Sequence, residues 1–183
     1  MTKFRNVGPS LLAYFLVIGG TTAASSQDTA TQPVRLLQTI SMPGVKGRLD
    51  HMDVDSQGKR LFVAGLENGT LEIVDLQAGK RVRSIPGLKK PQGVLYVPEL
   101  NKLFVASGDD AMLRVFSGDT LDLLDAVQLE PGPNRVVYEP HHKIIYVGYG
   151  GKDAGKDYGE VGIIDARNDK HIADIRVDLL RKS

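Results

Sequence analysis

The sequence predicts an all-β fold of three repeated four-stranded antiparallel units, preceded by one extra N-terminal strand. Three observations predict it. The stretch "LFVA" stands at residues 61–64 and again at 103–106, and a further step of 42 from Val105 reaches Val147 in "KIIYVGYGG". Short runs of β-branched, aromatic and leucine residues are punctuated by Gly, Asn, Asp, Pro and Ser, the residues that tolerate tight turns. Beyond the first thirty residues, no stretch sustains the 3.6-residue apolar period of an amphipathic helix.

In chain order, the leader comes first. Lys3 and Arg5 precede the apolar run Leu11–Gly20, and the small residues "TTAASS" follow. Basic, apolar and small residues in that order predict a secretory signal peptide over residues 1–26, followed by a linker over 27–33. The apolar run is shorter than the ~20 residues a membrane-spanning helix needs, so no stable span is expected after cleavage. Cleavage leaves 21 of the 23 basic residues against 22 acidic ones, a formal charge of −1. That balance offers nucleic acid no basic surface, and the leader implies a periplasmic or extracellular location. Cysteine is absent, which removes disulfides and thiol chemistry.

Residues 34–40, "VRLLQTI", read as the extra strand, because "LQTI" parallels "VRSI" and "IADI" in later repeats. The repeats themselves span about 48–90, 91–132 and 133–178. In each, the first strand alternates ("GVLYV") and the second is almost continuously apolar ("KLFVA"). The third alternates ("MLRVF") and the fourth is weaker ("LLDAV"). Leu71 and Ile73 match Leu113 and Val115 after 42 residues, and these match Val161 and Ile163 after 48. The six extra residues fall within "GGKDAGKDYG", so one loop has lengthened while its flanks kept their pattern. Four strands per ~42 residues is the spacing of a β-propeller blade. Stacked blades bury both faces of each sheet, which accounts for a continuously apolar strand. Residues 34–183 are therefore expected to form a partial β-propeller. Closed rings take about four blades or more. A truncated form of a longer propeller is the expectation, with closure by self-association as the alternative.

The repeats resemble those of the YVTN family of bacterial secreted propellers. Ile145–Tyr149 ("IYVGY"), Leu61–Gly65 ("LFVAG") and Leu103–Ser107 ("LFVAS") occupy the motif strand, and "GTLEIVDLQAGKRVRSI" resembles the section that follows it. The resemblance covers residues ~34 to 178 and rests on spacing and the apolar core, since the Thr-Asn half of the motif is absent from all three copies. It implies a ring of loops on one face around an axial channel.

On that face fall the lead-ins to the first strands, "LDHM", "PQGV" and "PNRV". Asp50, Gln92 and Asn134 are equivalent, 42 apart, as are His51, Gly93 and Arg135. Polar side chains converging from successive blades suit a ligand; the competing reading is hydrogen bonding to backbone at the channel rim. Asp50 and His51 are also weak metal candidates. So are Asp153 and Asp157 in the long loop, whose carboxylates would suit a hard cation. His141 and His142 read as a surface turn on the opposite face. Neither G-x-S-x-G nor H-E-x-x-H occurs, so no motif supports catalysis. The expected function is a secreted scaffold that binds a protein or small-molecule ligand and needs no cofactor, with a divalent cation left open. The alternative is a propeller enzyme of lactonase or lyase type with a metal at the axial channel.

Overall fold

Turn residues cut the chain into twelve strands, and each run of four folds into one antiparallel meander. The computed structural model describes residues 34–178. The first sheet contains β1 (Met52–Asp55), β2 (Arg60–Gly65), β3 (Thr70–Asp75) and β4 (Lys80–Ile85). The second contains β5 (Pro91–Val97), β6 (Lys102–Ser107), β7 (Met112–Ser117) and β8 (Leu123–Gln128). The third contains β9 (Val136–Glu139), β10 (Ile144–Gly150), β11 (Tyr158–Asp165) and β12 (Lys170–Asp178). Strand order in each sheet follows the sequence. The signal peptide and linker expected over residues 1–33 lie outside the described residues.

The N-terminal stretch departs from expectation. Residues 34–40 precede β1 without joining a ladder, and no strand is assigned to them. A lone strand has no partner for its backbone donors and acceptors, so the apolar pattern alone does not make one. Leu36 and Leu37 are exposed, while the Gln38 amide lies against Gly79.

The repeat reaches into backbone conformation. Lys59, Asn101 and Lys143 end the turns before the second strands, all left-handed, with φ of 54°, 49° and 62°. Gly79, Leu121 and Asp169 do the same before the fourth strands, at 62°, 61° and 60°. The first set is spaced 42 and 42, the second 42 and 48, as the apolar residues are. Pairing between the third and fourth strands slips at Ile73/Val74, Val115/Phe116 and Ile163/Ile164, again equivalent positions. Asp75, Ser117 and Asp165 cap the following turns, each accepting a backbone N–H two or three residues on.

The sheets stack face to face. Phe62, Ala64, Leu71 and Ile73 of the first pack on Leu103, Val105 and Phe116 of the second, with Leu121 beside them. Phe104, Ala106, Leu113 and Val115 on the other side of the second pack on Ile145, Val147, Tyr149 and Ile164 of the third. Both faces of "KLFVA" are thus buried. A cation straps each interface. Arg60 chelates the buried Asp55 carboxylate at 2.7 and 3.0 Å, stands over the rings of Phe62 and Tyr96, and donates to the Gly118 carbonyl of the next sheet at 2.5 Å. Lys102, its equivalent, donates to the Ala166 carbonyl and to Asp169 of the third sheet. The third equivalent is the apolar Ile144. On its far side the third sheet presents Val137, Tyr146, Val161, Ile163, Ile175 and Val177, with Ile175 and Val177 each 51% exposed.

Candidate ligand cleft

The first strand of each sheet is entered through a two-for-one bulge. In the first sheet Asp50 N–H donates to the Ala64 carbonyl at 2.9 Å and Ala64 N–H to the His51 carbonyl at 3.0 Å, so Asp50 and His51 together oppose Ala64. Asn134 and Arg135 oppose Gly148 in the same way, at 2.9 and 3.0 Å. In the second sheet the register shifts between Pro91 and Val94, leaving Gln92 and Gly93 opposite Ala106. Bulges re-aim side chains, and here they do so at every position the repeat period singles out.

The lead-ins are laced together. His51 N–H donates to the Gln92 carbonyl at 3.3 Å. Gly93 lies so close to Asn134 that a Cβ at 93 would stand 1.9 Å from the Asn134 carbonyl oxygen. A glycine is required there by packing, not by φ. This close approach brings the side chains of three successive repeats to one cleft of ≈590 Å³, lined by His51, Gln92, Asn134 and Arg135. Asp50 stands behind His51, its Oδ1 3.2 Å from His51 Nδ1, and also pairs with Arg48 at 3.1 Å.

Several of these polar groups lack partners. His51 Nδ1 is buried without a completed hydrogen bond, despite the nearby Asp50 carboxylate. Gln92 is 9% exposed, and its amide opens on the cleft with no hydrogen bond among the described residues. Arg135 has no acidic partner among them either.

Sequence reasoning missed Lys90 and Tyr149 in the lining, and Asp109, which reads from sequence as a turn residue on this face, lines the cleft as well. Lys90 Nζ lies 3.7 Å from Asp109 Oδ1, an exposed pair. Tyr149 belongs to the motif strand, where it reads as core. Its ring packs against Gly162, and its hydroxyl donates to Asp174, which His171 Nε2 also meets at 2.8 Å. Burial, and then the Glu130 charge, hold the Asp174 carboxyl above its usual range.

The third repeat's insertion is more ordered than a solvated loop. It adds one rung, Gly150↔Gly159, beyond the Tyr149↔Glu160 pair that matches the end of the shorter hairpins. Residues 152–154 form a 3-10 turn, and Lys156 Nζ ties the loop to Glu130 at 2.7 Å. That bond raises the Lys156 pKa, so the tie is charged at neutral pH. Asp153 falls in the 3-10 turn, and Asp157 is exposed. Among the described residues no three His, Cys, Asp or Glu side chains gather around one point. His141 and His142 sit in the β9–β10 turn, at the other end of the strands, where Glu139 accepts from both backbone N–H groups.

No protein-family model matches the chain, and no curated protein matches it. Among solved structures it is similar to the hydrazine synthase of Kuenenia stuttgartiensis, a β-propeller-containing protein, with a TM-score of 0.64 and 18% identity. The match covers 69% of this chain and 36% of that one. At this identity the likeness speaks for the fold alone: the protein is an all-β, β-propeller-like assembly of three four-stranded sheets. The chain spans little more than a third of its structural neighbour.

Proposed function

We propose that this is an exported propeller scaffold of the YVTN type, which binds a small polar ligand in the cleft formed by its first-strand lead-ins. Export rests on the order of basic, apolar and small residues over 1–26, and the family on the 42-residue motif strands. Binding without chemistry of its own rests on the makeup of the cleft, whose polar groups converge without a nucleophile–base pair.

One observation carries the binding reading. The Gln92 side chain is mostly buried, yet its amide makes no protein hydrogen bond among the described residues and stays open to solvent where three equivalent lead-ins meet. An amide that holds a rim together is bonded to it, whereas one left without protein partners on a cleft is free to bond a ligand. If Gln92 serves a ligand, Gln92→Leu leaves the free protein as stable as wild type or up to about 1 kcal/mol more stable in urea unfolding. If Gln92 instead holds the channel rim together, the same variant loses about 2 kcal/mol or more, and the ligand reading fails.

A further inference from the structure

We infer that the ligand carries a carboxylate, held by Arg135. The inference rests on the cleft being a ligand site and follows from its charge balance. Of the side chains lining it, Lys90 is matched by Asp109 and His51 is backed by Asp50. Arg135 lines the same cleft without an acidic partner among the described residues, so among them one positive charge is left uncompensated.

The neighbouring groups fit a planar monoanion. A guanidinium presents parallel N–H donors that match the two oxygens of a carboxylate. Gln92 and Asn134 add neutral amides, each offering two donors and one acceptor. They accept the ligand's remaining polar groups without adding charge. A single free cation balances a carboxylate better than a phosphate dianion, which would leave net negative charge between Asp50 and Asp109. The bulge that sets Asn134 and Arg135 side by side is held by two backbone hydrogen bonds to Gly148, so the recognition pair is preorganised.

Succinamate, which carries one carboxylate and one amide, and its uncharged analogue succinamide are suitable probes, titrated calorimetrically into the wild-type chain and into Arg135→Gln. Arg135 is exposed, so the variant keeps its fold, which far-UV circular dichroism verifies. Saturable succinamate binding is expected, weakened at least tenfold in Arg135→Gln and by raised salt, with succinamide binding at least tenfold more weakly than succinamate. Equal binding of the two compounds, or an Arg135→Gln variant that binds like wild type, overturns the inference. So does the absence of saturable succinamate binding, or preference for inorganic phosphate. These failures differ from failure of the ligand reading itself, which is decided by the stability of Gln92→Leu.

Discussion

Gly93 joins the cleft to the core. A Cβ at this position would overlap the Asn134 carbonyl and press on Val136, both in or beside the backbone of the next sheet. Neither can yield like a flexible side chain. Gly93→Ala is therefore expected to destabilise the protein by about 1–3 kcal/mol in urea unfolding and to open the seam between the second and third sheets. A variant as stable as wild type would mean that the seam is pliable. At this scale the sequence was legible where the period marks equivalent positions: it puts Asp50, Gln92 and Asn134 together, and the structure gathers Gln92, Asn134, His51 and Arg135 on one cleft. Lys90 was illegible because it arrives from another loop, Tyr149 because its strand reads as core, and Asp109 because it reads as part of a turn. The bulges left no trace either, since one extra residue before a short strand looks like the turn preceding it.

Between the third and fourth strands, the turns depend on a single capping side chain each. Arg167 donates from Nε and Nη2 to the Asp165 carboxylate, whose Oδ1 also accepts the Arg167 backbone N–H. These bonds, that from the side chain foremost, hold the Asp165 pKa down to about 2, from an ordinary 3.8. A carboxyl depressed on folding contributes stability that is complete above its unfolded value and disappears as the pH falls through the folded one. Asp165→Asn is accordingly expected to cost stability at pH 7, and the cost should shrink between about pH 4 and about pH 2. A cost unchanged across that window would assign Asp165 a role independent of its charge. Such caps were partly visible in the sequence as Asp or Ser before a turn. The left-handed Leu121 was not, because γ-branched leucine carries no turn signal and takes that backbone only where the core claims its side chain.

Among the described residues, one sheet is buried on both faces and the third has an uncovered apolar side. Val137, Tyr146, Val161 and Ile163 there hold the positions that Leu95, Phe104, Leu113 and Val115 hold where the second sheet meets its neighbour. Apolar patches of this kind drive association when they reach several hundred Å². The purified chain is expected to self-associate with rising concentration in light scattering, and Ile175→Lys with Val177→Lys to reduce it. Both side chains are exposed, so circular dichroism of the double variant should not change. A wild-type chain that remains a monodisperse monomer would show this face to be tolerated in water. The stacking itself was legible in the continuously apolar second strands, whereas the N-terminal stretch over 34–40 was not, because pairing depends on what lies alongside.

The straps of Arg60 and Lys102 give the stack a polarity. Each reaches forward to the turn of the following sheet, where Gly118 or Ala166 offers a carbonyl, and Ile144 has no such reach. In a tandem copy of the middle repeat, Lys102 would keep a carbonyl acceptor at Gly118 but would meet Leu121 where Asp169 now supplies a carboxylate. Copying the third would place Ile144 against a carbonyl it cannot bond. Extending the stack by the middle repeat would thus need one compensating change, an acid in place of Leu121, to keep each junction's cation paired.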